Sequence, residues 1–139
     1  MTSALETFRG VVYPWQLDHI GHMNVQFYTA RFDEATWHFF ASIGITPTYL
    51  RTSRRGMAAV EQHTRYKQEL QAGDLIRITS ELIEMKQKAI RFTHRMYNAE
   101  SGEEVATTEL VGVHIDADQR RAVAFPADIM ERAAARQDA

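Results

Sequence analysis

The stretch NVQFYTARFDEATWHFFASIG, residues 24–44, decides the fold. Val25, Tyr28, Phe32, Ala35, Phe39 and Ile43 recur at steps of three and four, so they form one apolar face of a helix. Asn24 is a good N-cap, because its side-chain oxygen can accept a backbone N–H of the first turn. Gly44 is a good stop, because it takes positive φ without a Cβ penalty. The spacing predicts a helix of about five turns, rich in aromatics and buried over much of its circumference.

Strand-like segments surround this helix. Residues 8–13 read as a first strand that ends at Pro14. Residues 46–56 read as irregular, with Pro47 and the basic cluster Arg51, Arg54 and Arg55. Residues 57–70 are β-tolerant, and the turn QAGD (71–74) closes them. Residues 75–84 alternate, with Ile76, Ile78 and Leu82 on one face and Arg77, Thr79 and Glu81 on the other. Residues 90–98 alternate again, with Ile90, Phe92, His94 and Met96 opposite Arg91, Thr93, Arg95 and Tyr97. Residues 104–116 make the last long strand, and a short helix starts at Pro126. The order predicts an α+β fold, one long central helix packed on a five-stranded, mainly antiparallel sheet. One helix cannot cover every apolar sheet position, so self-association is expected.

The bulk properties exclude several classes. A chain of 139 residues fits one domain, 1–139. Apolar residues at 45% and charged residues at 24% are a globular balance, not a disordered one. The net charge of -2 gives no electrostatic reason to expect nucleic acid or an acidic membrane as partner. The absence of cysteine removes disulfides, thiolate nucleophiles and zinc–thiolate sites. MTSALETFRG lacks the basic-then-apolar pattern of a signal peptide, and no apolar run approaches a membrane span. The expectation is a soluble, cytoplasmic domain.

Upstream of the helix, YPWQLDHIGHM (13–23) crowds reactive side chains together. A metal reading would take Asp18, His19 and His22 as ligands. Gly21 breaks helicity between the histidines, so their rings need not converge, and no metal is expected. An acid–base reading is better served. A carboxylate just before a helix start can attack an electrophile or activate water. The unpaired N–H groups at the helix start suit an oxyanion on a carbonyl. Gly21 lets backbone approach a ligand, and His22 and Asn24 can orient substrate or water. A capped helix after a polar turn explains the same residues without chemistry, so both readings stand on the residues alone.

The run Asp18-His19-Ile20-Gly21-His22-Met23-Asn24, with Tyr28 and the aromatic helix behind it, resembles the signature of hotdog-fold acyl-CoA thioesterases. It is close to the 4-hydroxybenzoyl-CoA thioesterase branch and also similar to the D-x-N-x-H-V-N-N stretch of acyl-carrier-protein thioesterases. The resemblance covers nearly the whole chain, including the Gly73-Asp74 turn. It places the catalytic carboxylate on Asp18, the histidine of some subfamilies on His22 and the helix-start asparagine on Asn24. Ile20 stands where the carrier-protein enzymes have asparagine, which puts their full triad in doubt here. The resemblance implies acyl-CoA hydrolysis with no metal and no cofactor. It also implies a dimer with a continuous sheet, or a tetramer of such dimers, with active sites between subunits.

Gly21 and Met23, inside the motif, are expected to line the substrate. Trp15 and Tyr28 are expected there too, since Tyr13, Trp15, Tyr28 and Trp37 can bind a quaternary ammonium. The chain is also similar to the branch that acts on betainyl-CoA. Glu61 shares a strand face with His63 and is a candidate binding anion or second acid–base group. Glu34, on the helix, is a rival nucleophile. Arg54, Arg55, Lys86, Lys88 and Arg91 are candidates for the phosphates of coenzyme A. A hotdog hydratase or dehydratase, or a non-catalytic acyl-CoA-binding dimer, are the alternative functions.

Overall fold

A computed structural model describes residues 4–138. Strand β1 (Leu5–Val11) leads through a short 3-10 turn (Pro14–Gln16) into α1 (Val25–Ser42). Then come α2 (Pro47–Ser53), β2 (Arg55–Tyr66), β3 (Leu75–Met85), β4 (Ala89–Asn98), β5 (Glu104–Asp116), β6 (Arg121–Ala122) and α3 (Ala127–Asp138). The sheet order is β1-β3-β4-β5-β2, with every pairing antiparallel and β6 added to β5.

The helix forms where its pattern demands. Asn24 Oδ1 accepts the Gln26 N–H at 3.0 Å, and Gly44 takes φ 92° past the end. Tyr28, Phe32, Ala35, Phe39 and Ile43 are all buried. The first half of α1 packs on Ile76, Ile78 and Met96, and the second half on Leu82, Phe92 and Leu110. Phe39 and Phe40 meet the Phe92 ring at 5.1 and 5.2 Å. The inward residues are the alternating apolar sets of β3 and β4, as a half-buried strand requires.

Several expectations need correction. The sheet has six strands among the described residues, not five. β6 is two residues long and pairs with Ile115 and Asp116 after a turn at Arg120, φ 55°. β1 ends at Val11 because the Val12 N–H turns to Asp74 O and its carbonyl accepts from Gly73. β2 ends at Tyr66 because the Lys67 and Gln68 amides both converge on Val105 O. The stretch read as irregular contains α2, capped by Thr46 and started by Pro47. Its Tyr49 hydroxyl donates to Nε2 of the buried His114 at 2.9 Å, while Nδ1–H donates to Val123 O. Burial lowers the His114 pKa, so the neutral ring can hold α2 and the segment before α3 together. Val25 is 57% exposed, outside the core that the rest of its helical stripe forms.

Candidate active site

The residues between β1 and α1 fold into a small pinned loop. The buried Gln16 accepts the Tyr13 N–H at its side-chain oxygen and the Asn24 N–H at its carbonyl. Leu17 and Met23 form an antiparallel bridge, and the Asp18 N–H donates to His22 O at 2.8 Å. Gly21 closes the tip with φ 94°, a conformation that L side chains rarely adopt. Met23 is buried and its N–H donates to Leu70 O. The loop is thus fixed to the turn that leads into β3.

Asp18 sits at the base of this loop. Its Oδ1 accepts the Ile20 N–H at 2.9 Å and the His22 N–H at 3.3 Å. Its Oδ2 has no hydrogen-bond partner among the described residues. The Ile20 amide is the main cause that holds the carboxyl below its ordinary pKa, partial burial opposes it, and the His22 amide and the His19 charge help. The group is therefore an ionised carboxylate at neutral pH, with one oxygen clamped and one free. His22 Nε2 lies 3.1 Å from Glu69 Oε2. Asn24 spends its oxygen on the helix cap. The Gln26 and Phe27 amides are both taken by Asn24, and the Val25 N–H at the helix start has no partner among the described residues.

Aromatic residues flank the loop. Trp15 is 72% exposed and stacks on Tyr13, centroids 4.6 Å apart. Tyr28 is buried, meets Tyr66 edge-on at 5.1 Å and donates to Gln68 O. Burial, with the charge of neighbouring Tyr66 and Glu69 adding to it, pushes its hydroxyl up to about 12, so it stays protonated.

The other candidates lie apart from Asp18 within the protomer. Glu61 pairs with Val111 and His63 with Glu109, on the sheet face turned away from α1. There they line a polar cavity of about 660 Å³ with Arg65, Thr93 and Arg95. Arg91 faces Glu109 on that same side, 3.8 Å away. Arg54 pairs with Asp118, and Arg55 with Asp116 at 2.9 Å. Lys86 and Lys88 are exposed in the turn between β3 and β4. The Ala117 N–H to Arg54 O and His114 N–H to Lys88 O bonds gather Arg54, Arg55 and Lys88 at one end of the sheet. That end is a whole strand length from the Tyr66 end of β2, roughly 36 Å at 3.3 Å per residue, and the Asp18 loop docks at the Tyr66 end. Glu34 is exposed and pairs with Arg31. Among the described residues, no three His, Asp or Glu side chains converge as a metal cluster, and no helix is long and apolar enough to cross a membrane.

Two features escaped the sequence reading. Glu69 reaches His22 only through the fold, and no local signal announces it. A largely apolar groove of about 340 Å³ runs between α1 and β2–β5, lined by Phe32, Phe40, Met57 and Leu110 with the exposed Asp33 and Trp37. Trp37 is 49% exposed. The spacing of Asp33 and Trp37 at i and i+4 was the available signal.

An antiparallel sheet curled around a long helix is the architecture of the hotdog-fold thioesterases. The comparisons agree. The chain matches the model of the thioesterase-like superfamily over residues 12–133, and it belongs to that family. It is 26% identical over its whole length to a betainyl-CoA thioesterase of Pseudomonas aeruginosa, covering 87% of that protein. It is 32% identical over 82% of its length to an L-carnitine dehydrogenase/betainyl-CoA thioesterase of Agrobacterium fabrum, of which it spans 23%. A Staphylococcus aureus protein solved in complex with CoA superposes with a TM-score of 0.91 at 22% identity. That match covers 99% of this chain and 86% of the other.

Proposed function

We propose that the chain is a single cytoplasmic domain that hydrolyses an acyl-CoA thioester to free acid and coenzyme A. Betainyl-CoA or another short acyl-CoA is the substrate. The observation that carries this reading is the Asp18 carboxylate. It is ionised, held by two amides on Oδ1, and without a hydrogen-bond partner at Oδ2 among the described residues, in the loop that leads into the helix start. The thioester oxygen sits at the Val25 N–H, where the positive end of the helix stabilises the developing oxyanion. Oδ2 then attacks the carbonyl carbon, or takes a proton from a water that attacks it. The C–S bond breaks and the thiolate leaves with the electron pair; on the nucleophilic route water then cleaves the acyl–Asp18 anhydride, and on either route a proton from that water neutralises the thiolate. His22 orients the substrate or water. Asn24 acts by holding the helix start in place. Gly21, Met23, Trp15 and Tyr28 border the reacting group.

The basic cluster fits this reading only across two subunits. β2 is an edge strand of 12 residues with an unpaired side. A second copy pairing antiparallel along β2 sets the Arg55 end of one strand against the Tyr66 end of the other. Each Asp18 loop then faces the partner's Arg54, Arg55 and groove. The site is complete only in this homodimer, which can pair further into a tetramer.

The test is thiol release from a panel of short, long, aromatic and betainyl acyl-CoA thioesters, with wild type and Asp18→Asn side by side. The expected result is turnover of at least one class, reduced about 10²- to 10⁴-fold in Asp18→Asn with binding retained. No release from any thioester overturns the reading. Single-turnover hydrolysis in isotopically labelled water separates the two roles, since only a nucleophilic Asp18 acquires label in the protein.

A further inference from the structure

Asp33 and Trp37 lie on one face of α1, four residues apart. Both line the groove of about 340 Å³ between α1 and β2. The rest of its wall is mostly apolar, with Phe32, Phe40, Met57 and Leu110. Asp33 is exposed and has no ion-pair partner among the described residues, while nearby Arg31 is committed to Glu34. Trp37 leaves about half of its surface uncovered. An open indole, an unpaired carboxylate and an apolar wall together favour one kind of ligand.

That ligand is a weakly hydrated cation. A neutral acyl chain would gain from the wall but would desolvate Asp33 with no return. A primary ammonium is strongly hydrated and would have to trade its water for Asp33 and the few other polar side chains of the wall, Thr29, Thr36 and Gln62. A quaternary ammonium needs no hydrogen bonds. Its charge is spread over methyl groups, which an indole face attracts and which pack against apolar carbon. We propose that Asp33 and Trp37 form the acyl-selecting subsite, and that it takes an acyl group carrying a quaternary ammonium.

This inference rests on the thioesterase reading above, and it fixes which copies cooperate. Asp33 lies eight residues into α1, about 12 Å along its axis from Val25 at 1.5 Å per residue, and Asp18 comes before that start. A betaine-sized acyl group spans only a few bonds from carbonyl to nitrogen. The subsite therefore cannot serve the Asp18 of its own protomer. The antiparallel β2 pairing does what is needed. Met57 and Ala59 of the groove lie in the first half of β2, where the partner subunit's Asp18 loop arrives.

The experiment compares betainyl-CoA with tert-butylacetyl-CoA, its neutral isostere, by the ratio of their kcat/KM values. Wild type should favour the cation at least about tenfold. Asp33→Asn should lower that ratio about tenfold, and Trp37→Leu severalfold. Both positions are exposed, and thermal melts verify that each variant folds. Independently of any variant, glycine betaine should inhibit wild type competitively, and tert-butylacetate should not. A wild-type ratio near one, or a ratio that neither substitution moves, overturns the subsite. If Asp18-dependent turnover of other thioesters persists in that case, the thioesterase reading survives. If no thioester is hydrolysed at all, both fall.

Discussion

His94 is the most consequential residue outside the site. It is fully buried, stacked on Phe32 with centroids 5.9 Å apart. The Thr36 hydroxyl donates to Phe32 O, so it accepts from His94 Nε2–H at 2.8 Å. Nδ1 then accepts from the Ser80 hydroxyl at 2.6 Å, and Ser80 Oγ lies 2.7 Å from Thr7 Oγ1. One neutral imidazole thus ties α1, β4, β3 and β1 together. Burial holds its pKa down at about 3, against an ordinary 6.5. The unfolded chain therefore binds the extra proton first as pH falls. The stability this ring contributes is whole above about pH 6.5 and is lost progressively toward pH 3, by roughly 5 kcal/mol at about 1.4 kcal/mol per pKa unit. Thermal melts from pH 7 to pH 4 should show that decline. His94→Gln should be less stable at pH 7 by about 1–3 kcal/mol and should decline less steeply over the same range. Equal slopes would remove His94 as the cause. The sequence showed His94 on an apolar strand face, but its hydrogen-bond partners come from α1 and β3 and could not be read.

At the scale of elements, the start of α1 links stability to chemistry. Asn24→Ala removes the Gln26 cap and should cost about 1 kcal/mol, read as a lower melting temperature. Turnover should fall beyond what folding loss explains, because the Val25 amide depends on that cap for its direction. Unchanged kcat in the folded variant would remove the helix start from the mechanism. These local features were legible because their partners are near in sequence. Asn24 caps two residues on, and Asp18 is gripped by the amides of Ile20 and His22. The alternation of β3 and β4 was legible for the same reason. Glu61 shows where such reading fails. A bulge between Ala59 and Glu61 shifts the phase of β2. Met57, Ala59, Gln62 and Thr64 lie opposite His114, Gly112, Leu110 and Thr108 on the inner face, whereas Glu61 and His63 turn outward. Alternation counted from Met57 misses that change, because one extra residue reverses every later side chain. β6 and α2 were hidden differently. Two residues cannot show a period, and α2 meets the core only through Tyr49, which also bonds His114, and Leu50, too few to show an apolar stripe.

At the scale of the molecule, the long unpaired side of β2 and the distance between Asp18 and the basic cluster make one argument. An edge strand of this length, with Val60 57% exposed at the bulge, invites pairing. The same pairing is what the proposed chemistry needs, because no single protomer brings Asp18, the groove and Arg55 together. Oligomeric state and activity should then fail together. Val60→Lys places a charge at the centre of the β2 edge and, beside its own copy across a two-fold axis, sets like charges against each other. Sedimentation should show wild type as at least a dimer and Val60→Lys as a folded monomer, with turnover reduced at least about a hundredfold. Within its own protomer Val60 lies six residues from the Tyr66 end of β2 where the Asp18 loop docks, so in a folded monomer the loss traces to the missing partner. A monomeric Val60→Lys that retains full activity would overturn the shared site and confine catalysis to one chain. A wild type that is itself monomeric and active would do the same, and Arg54 and Arg55 would then lose their proposed contact with coenzyme A.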